Sequence, residues 1–171
     1  ARAGGAKLSE HASVLRGDPS RAEFSGVDAG TGYFLEPILL EASTESALDP
    51  EAAFHVMEVF GPVCTLLPYD GTPATAAKIV SLGHGSLVST LYSDDRAWIG
   101  ESIPNIAPYL GRLVVADEKS ARASMAPGCV FPVANHGGPG RAGCGGELGG
   151  VAGLSLYMQR TALQGGASNL A

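Results

Sequence analysis

The sequence predicts an α/β fold with a mostly parallel sheet flanked by helices. Two observations support this prediction. Apolar segments that are typical of strands alternate with helix-like segments between residues 62 and 116, as they do in parallel sheets. Each intervening segment is also long enough for a right-handed crossover. Since 45% of the 171 residues are hydrophobic, the chain has enough apolar side chains for the core of one domain.

The expected elements follow in order along the chain. Residues 8–15 are expected to end a helix, 43–50 to form a polar loop and 51–58 to form a short helix. Strands are expected at residues 32–40, 62–69, 86–92 and 112–116. Residues 118–146 form a long irregular segment rich in Gly, Pro and Ala, which is followed by a predicted helix at 147–157. A last strand is expected from Gln159 to Gln164.

Two further helices are predicted between the strands. Thr72 is a suitable cap for the first helix, which Gly83 should end. The second is expected to begin at Asp94 or Asp95 and to reach about residue 110, with breaks at its two prolines.

Composition excludes several classes of function. The net charge of −6 and the pI near 5.1 argue against nucleic acid as a partner, which requires a basic face. No apolar run approaches the length of a membrane span. The four histidines have no metal-ligand spacing, and the three cysteines are odd in number, which favours reduced thiols in the cytoplasm. Cys64 lies in an apolar strand candidate and is expected to be packed.

The segment Glu58-Val59-Phe60-Gly61-Pro62-Val63 combines a carboxylate, an aromatic ring and a stiff turn. A carboxylate accepts hydrogen bonds from paired hydroxyls such as those of a ribose, and a ring limits the movement of a flat heterocycle. The same residues are typical of an ordinary turn with a solvated glutamate and a packed phenylalanine, which is the more common case. The pattern alone leaves both interpretations open.

A second glycine-rich segment runs from His136 to Glu147 and leads into the predicted helix. Glycines before a helix allow close approach to a phosphate. However, the Walker pattern is absent, and no strand directly precedes these glycines. A tight loop with Glu147 near the start of a helix is the simpler interpretation.

Taken together, these segments resemble the aldehyde dehydrogenase superfamily. Glu58-Val59-Phe60-Gly61-Pro62-Val63 is similar to its E-x-F-G-P motif, and His136 to Gly149 is similar to its F-G-G-x-K-x-S-G-x-G-R-E-L-G segment. Gly32 to Pro37, before the first motif, and Gly85 to Tyr92, between the two motifs, also resemble the family's sequence in order and spacing. Residues 1–158 therefore resemble the C-terminal portion of the catalytic domain, and residues 159–171 the oligomerisation strand and tail.

The resemblance implies roles for individual residues. Glu58 is expected to bind the nicotinamide ribose of NADP or NAD, and Phe60 to pack near the nicotinamide ring. His136 occupies a position in the aldehyde pocket where many relatives have an aromatic residue. Glu147 matches a glutamate that helps to manage water. Gly140 and Gly146 replace the usual Lys and Arg, so ion pairs of the relatives are in doubt here.

The family mechanism implies an enzyme that oxidises an aldehyde to an acid. A cysteine attacks the aldehyde to give a thiohemiacetal, hydride passes to the nicotinamide, and water hydrolyses the thioester. In the family that cysteine lies farther upstream of E-x-F-G-P than this chain reaches, so we expect these 171 residues alone to be inactive. The segments from His136 and from Tyr157 are similar to a bacterial branch, commonly NADP-dependent, that oxidises CoA-linked semialdehydes in phenylacetate and benzoyl-CoA degradation.

The resemblance also implies a homodimer formed through the strand from Gln159 to Gln164. An ordinary edge strand is the alternative for that segment. Two other functions stay open for the whole chain. One is a non-catalytic binding or assembly module with an α/β layer, and the other is a reductase that acts on acyl-CoA in the reverse sense.

Overall fold

The described strands of the computed structural model form two sheets. The structure describes residues 10–18, 24–28, 31–32, 34–120, 123, 132–134, 136–143, 150–154 and 157–170. The first sheet contains β1 (Ala12–Arg16), β2 (Ile38–Ala42) and β3 (Val63–Leu66), and the second contains β4 (Ser86–Tyr92) and β5 (Leu110–Ala116). Strand β1 is antiparallel to β2, whereas β2–β3 and β4–β5 are parallel pairs. The predicted α/β class with parallel pairing is confirmed.

Helices connect and flank these strands. The α-helices are α1 (Thr44–Ala47), α2 (Ala53–Val56), α3 (Pro73–Leu82), α4 (Arg96–Ile106), α5 (Gly150–Leu154) and α6 (Ala167–Leu170). Short 3-10 turns occur at Ala107–Tyr109, Pro132–Ala134 and Gly140–Ala142. Within the described ranges, every helix is too short or too polar to cross a membrane.

The core of the first sheet lies on one face of β2. Ile38, Leu40 and Ala42 alternate along this strand and are buried, as expected for residues that share one face. They cluster with Ala12 of β1 and Ala53 of α2. Burying a side chain such as Leu40 contributes about 1.5–3 kcal/mol, so this apolar face holds α2 on the sheet.

Helices α3 and α4, which precede and follow β4 in the chain, pack against each other. We call α3, β4, α4 and β5 the second unit. Buried apolar residues of this unit are Leu82, Leu91, Ile106 and Ala116. The indole Nε1 of Trp98 donates a hydrogen bond of 2.8 Å to the carbonyl of Gly71. This bond ties the first turn of α4 to the loop that precedes α3.

Capping residues set the beginnings of both long helices. Thr72 Oγ1 accepts a hydrogen bond from the Thr75 amide, with Pro73 at the first helical position. The Asp95 carboxylate accepts from the amides of Ala97 and Trp98. Both capping predictions are confirmed, and α3 ends before Gly83 as expected.

Two predictions near the amino-terminal half are wrong. Residues 12–16 form a strand rather than the end of a helix, because their backbone pairs with β2 across a distance in sequence that local propensity does not reveal. The expected polar loop at 43–50 contains α1. Ser43 caps this helix through a 3.0 Å hydrogen bond from the Ser46 amide, which is a favourable N-cap arrangement.

Helix α4 continues through Pro104 instead of breaking there. Proline removes one backbone hydrogen bond from a helix. The side-chain amide of Asn105 donates a 2.8 Å bond to the Glu101 carbonyl in the same turn and adds a bond at this point. The second proline, Pro108, lies in the 3-10 turn that follows.

Replacing the cap of α3 should destabilise the fold measurably. We expect Thr72→Ala to lower the free energy of unfolding by about 1 kcal/mol, because the Thr75 amide loses its acceptor. Lys78→Ala on the same helix is the control and should change stability by less than about 0.5 kcal/mol, since Lys78 is exposed. Urea denaturation followed by circular dichroism measures both. Equal stability of the two variants would contradict the capping role.

Acid should destabilise the fold through two carboxylates. Hydrogen bonds from the Thr72 amide and hydroxyl hold the pKa of Asp70 below its ordinary value of 3.8. Bonds from the Ser120 hydroxyl and amide likewise lower the pKa of Asp117. A depressed folded-state pKa contributes stability above the ordinary value that is lost as pH falls through the folded value.

The urea midpoint is therefore expected to fall between pH 5 and pH 2.5, a window chosen about the ordinary aspartate pKa. The double variant Asp70→Asn, Asp117→Asn should show a smaller fall than the unmodified chain. Glu45→Gln serves as the control, because this side chain is exposed on α1. An identical acid dependence in the double variant and the unmodified chain would contradict this account.

Candidate functional site

The turn formed by residues 58–63 leads directly into β3 and presents its polar and aromatic side chains outward. Met57 and Val59 are half-buried and pack on the core cluster of the first sheet. Glu58 and Phe60 alternate with them and are exposed, and the Phe60 side chain is 88% exposed. Since residues two apart in an extended segment share a face, Glu58 and Phe60 point to the same outer side.

Backbone hydrogen bonds fix the position of this turn. The Val63 amide donates to the Gly61 carbonyl at 2.8 Å, and the Ile38 amide donates to the Pro62 carbonyl at 2.8 Å. The second bond joins the end of the turn to the start of β2, where the parallel ladder with β3 begins. The turn is therefore held from its inner side by packing and from its end by the sheet.

The arrangement suits a nucleotide sugar joined to a flat ring. An exposed carboxylate is an acceptor for two neighbouring hydroxyls. The Phe60 ring is almost fully exposed, so it is accessible for packing against a flat heterocycle. Among the described residues, no group of three or more His, Cys, Asp or Glu side chains is arranged to hold a metal ion.

A shallow cleft of about 450 Å³ lies beside the turn, at the amino ends of β2 and β3. Gly61 and Pro62 form one side, and Arg16, Leu39 and Cys64 contribute to the rest. The prediction that Cys64 is packed is wrong, because its side chain is exposed in the structure. Alternation along β3 places Cys64 on the opposite face from Val63, which packs on the core.

His136 contacts the second unit and is not among the residues that line this cleft. Its ring is half-buried and rests against Gly111 at the start of β5. Two of the following glycines pack closely at the start of β4. A Cβ atom on Gly140 would lie 2.0 Å from the His84 carbonyl oxygen, and one on Gly138 would lie 3.0 Å from the Leu87 side chain. In the described part of this segment, close packing accounts for Gly138 and Gly140 without a phosphate.

The sequence has curated relatives but matches no protein-family model. Over 143 residues it is 41% identical to Protein MaoC of Klebsiella aerogenes, covering 84% of this chain and 42% of that protein. Over 134 residues it is 39% identical to a 3,4-dehydroadipyl-CoA semialdehyde dehydrogenase of Aromatoleum evansii, covering 78% of this chain and 25% of that protein. The chain thus spans less than half the length of either relative.

Solved structures share the fold over most of the chain. A betaine aldehyde dehydrogenase from Staphylococcus aureus superimposes with a TM-score of 0.63 and 24% identity, covering 91% of this chain and 28% of that one. The same enzyme in complex with NAD⁺ gives a TM-score of 0.59 and 24% identity over 92% of this chain and 28% of that one. PnpE from Pseudomonas sp. WBC-3 gives a TM-score of 0.62 and 23% identity, covering 86% of this chain and 26% of that one. The chain is thus similar in sequence to a semialdehyde dehydrogenase and has the fold of these aldehyde dehydrogenase structures.

Of the residues to which the resemblance gives a role, Glu147 lies outside the described residues, as does the neighbouring Gly146. The helix expected at 147–157 is described only from Gly150 to Leu154. Glu58, Phe60 and His136 are described, and the structure brings the first two together on one turn.

The segment from Gln159 to Gln164 forms neither helix nor strand in the single chain, and each of its residues is exposed. The predicted strand is therefore not formed here. A strand requires a neighbouring backbone to bond with, and none of the described strands pairs with this segment. Leu163 is 76% exposed, which leaves an apolar side chain uncovered.

Sequence reasoning missed two residues that organise the second unit. His84 is the one non-glycine residue with a positive φ among those described, at 56°. Gly111 faces the His136 ring at the start of β5. The cluster Gly83-His84-Gly85 was a turn signal, but nothing local to Gly111 indicates which side chain lies over it.

Proposed function

We propose that this chain is the C-terminal part of the catalytic domain of a cytoplasmic NAD(P)-dependent aldehyde dehydrogenase. The observation that carries the proposal is the outward face of the 58–63 turn, where Glu58 and an 88% exposed Phe60 stand on a backbone held by the core and the sheet. A chain related to aldehyde dehydrogenases has a use for that pair, whereas an assembly module has none.

Glu58 would hold the ribose next to the nicotinamide, with its two oxygens accepting from the two ribose hydroxyls. Phe60 would pack on the nicotinamide ring and limit its rotation. Bound NAD(P)⁺ supplies the hydride acceptor of the reaction. The contribution of this chain is positioning, since a ring held in one orientation reduces the entropy cost of reaching the reactive geometry.

The remaining roles follow the family mechanism. The nucleophilic cysteine would come from outside these 171 residues, and the aldehyde would be bound to its sulfur as a thiohemiacetal before a thioester is hydrolysed to the acid. Glu147 would help to manage the water, and His136 would line the aldehyde pocket. The substrate class we propose is a CoA-linked semialdehyde from aromatic-acid degradation, because the Aromatoleum evansii relative, 39% identical, is a dehydrogenase of such a compound.

The nicotinamide half of the cofactor should bind this chain by itself. We expect nicotinamide mononucleotide to bind with a Kd on the order of 1 mM, and AMP to bind much more weakly. Glu58→Gln should weaken binding roughly tenfold, because hydrogen bonds to a charged acceptor contribute about 1.5–3 kcal/mol. Phe60→Ala should weaken it by roughly fivefold through loss of ring packing. Saturation-transfer NMR titration measures each Kd.

Two variants serve as matched controls. Glu45→Gln removes an exposed carboxylate from α1, and Tyr92→Ala removes an exposed ring from the end of β4. Both should bind nicotinamide mononucleotide as the unmodified chain does. An unchanged Kd in Glu58→Gln and Phe60→Ala would contradict the proposed role of the turn. AMP binding as tight as that of nicotinamide mononucleotide would contradict it as well.

Catalysis should require the rest of a dehydrogenase. We expect the 171-residue chain to produce no NAD(P)H from any aldehyde, since the proposed nucleophile is not in it. A chimera in which this chain replaces the matching 134-residue segment of the Aromatoleum evansii enzyme should oxidise aldehydes. In that chimera Glu58→Gln should lower kcat/KM for NAD(P)⁺ by about tenfold or more. Turnover by the chain alone, or a cooperatively folded chimera without activity, would contradict the proposal.

The proposed homodimer is formed by the exposed segment from Gln159 to Gln164. Sedimentation equilibrium should give a mass of twice 17.4 kDa for the unmodified chain. Thr161→Pro should shift it toward the monomer, because proline removes an amide donor from a pairing strand. Thr161→Ala keeps the amide and should remain dimeric. A monomer in all three cases would rule out this interface for the chain.

A further inference from the structure

Gly111 lies where a side chain would collide with His136. A Cβ atom built on Gly111 would lie 2.3 Å from His136 Nδ1 and 2.9 Å from its Cε1. The Leu87 carbonyl oxygen of the neighbouring strand would be 2.7 Å away. These separations are well below the usual contact distance of carbon atoms, about 3.5–4.0 Å. The imidazole ring therefore occupies the space that the missing side chain leaves over β5.

The segment that follows His136 contacts a left-handed turn before β4. His84 has φ 56° and Gly85 has φ 118°, and the Arg141 amide donates a 3.0 Å hydrogen bond to the His84 carbonyl. A Cβ atom on Gly85 would lie 2.1 Å from the Pro139 carbonyl oxygen. The backbone of Pro139 therefore lies too close to Gly85 for a side chain to fit between them.

We infer that Gly111 is a specificity-determining residue, because it lets the His136 ring lie back against β5 on a segment fixed by the His84–Gly85 turn. This inference rests on the proposed aldehyde dehydrogenase function and on the pocket role of His136. Gly111 touches no substrate and acts through His136. A side chain at position 111 would displace the ring from β5, and would thereby change the shape of the aldehyde pocket that His136 is proposed to line.

The position of the ring is tested in the 171-residue chain itself. The chain has four histidines, so their ε1 proton NMR signals form a simple set in which the His136 signal is identified by its loss in His136→Ala. Gly111→Ala should shift the His136 signal by more than its line width and leave those of His11 and His55 in place. Gly100→Ala is the matched control, because a Cβ atom there meets no atom within 4 Å.

A double-mutant cycle separates the ring from the rest of the contact. Gly111→Ala should lower the urea midpoint in the unmodified chain. It should lower it less in the His136→Ala background, where only the clash with the Leu87 carbonyl remains. If Gly111→Ala leaves the His136 signal unmoved, or if its effect on the midpoint is the same in both backgrounds, the inference is overturned. Should Gly111→Ala not fold, recovery of folding in the double variant would still support it.

Selectivity is tested in the chimera with the Aromatoleum evansii enzyme. Gly111→Ala should lower kcat/KM for a bulky aldehyde relative to acetaldehyde by about tenfold, the scale at which one added carbon changes the fit of a pocket, with Gly100→Ala unchanged. A chimera that oxidises aldehydes with an unaltered ratio overturns the specificity role and leaves the proposed function standing. A folded chimera that oxidises no aldehyde fails the proposed function, while the NMR result still decides the position of the ring.

Discussion

The parallel pairing of β2 with β3 is the contact on which the candidate cofactor turn depends. The ladder begins where the Ile38 amide meets the Pro62 carbonyl at 2.8 Å, one residue after the Gly61 turn. From that point Ile38 and Leu40 lie on the buried face of the sheet, and Val63 packs on the same cluster. A shift by one residue would turn the buried side chains of β2 to the solvent. The same hydrogen bond therefore sets the register of the core and the orientation of Glu58 and Phe60.

The side chains that we propose to bind the cofactor, Glu58 and Phe60, are exposed and take no part in the core. Met57 and Val59 pack on the core cluster and anchor the turn, whereas Glu58 and Phe60, which alternate with them, are exposed. The second unit uses another device. There the absence of side chains at Gly85, Gly111 and Gly140 brings backbones and one imidazole ring into close contact. In both places the packing of neighbouring residues determines where a polar or aromatic side chain lies: Glu58 and Phe60 on the turn, and His136 on the second unit.

Local signals in the sequence predicted the elements that they specify. Thr72, Asp95 and Gly83 mark the ends of helices through bonds within a few residues, and β4 was predicted over its observed range from Ser86 to Tyr92. Strand β1 was taken for part of a helix because its structure depends on pairing with β2, which lies far along the chain. The segment from Gln159 to Gln164 was predicted as a strand and has no partner strand among those described.

The candidate site could also be predicted only in part from the sequence. The E-x-F-G-P resemblance predicted Glu58 and Phe60 as cofactor-binding residues, whereas the pattern alone favoured an ordinary turn. The position of the His136 ring was not predictable, because its contact with Gly111 is tertiary. A single glycine at the start of a strand does not indicate which side chain lies over it.

The most direct measurement is the set of intermolecular NOEs between nicotinamide mononucleotide and the chain. The account predicts NOEs from the nicotinamide and ribose protons to the Phe60 ring. NOEs to residues elsewhere in the chain, with none to Phe60 at saturating nucleotide, would contradict the assignment of the 58–63 turn to the cofactor.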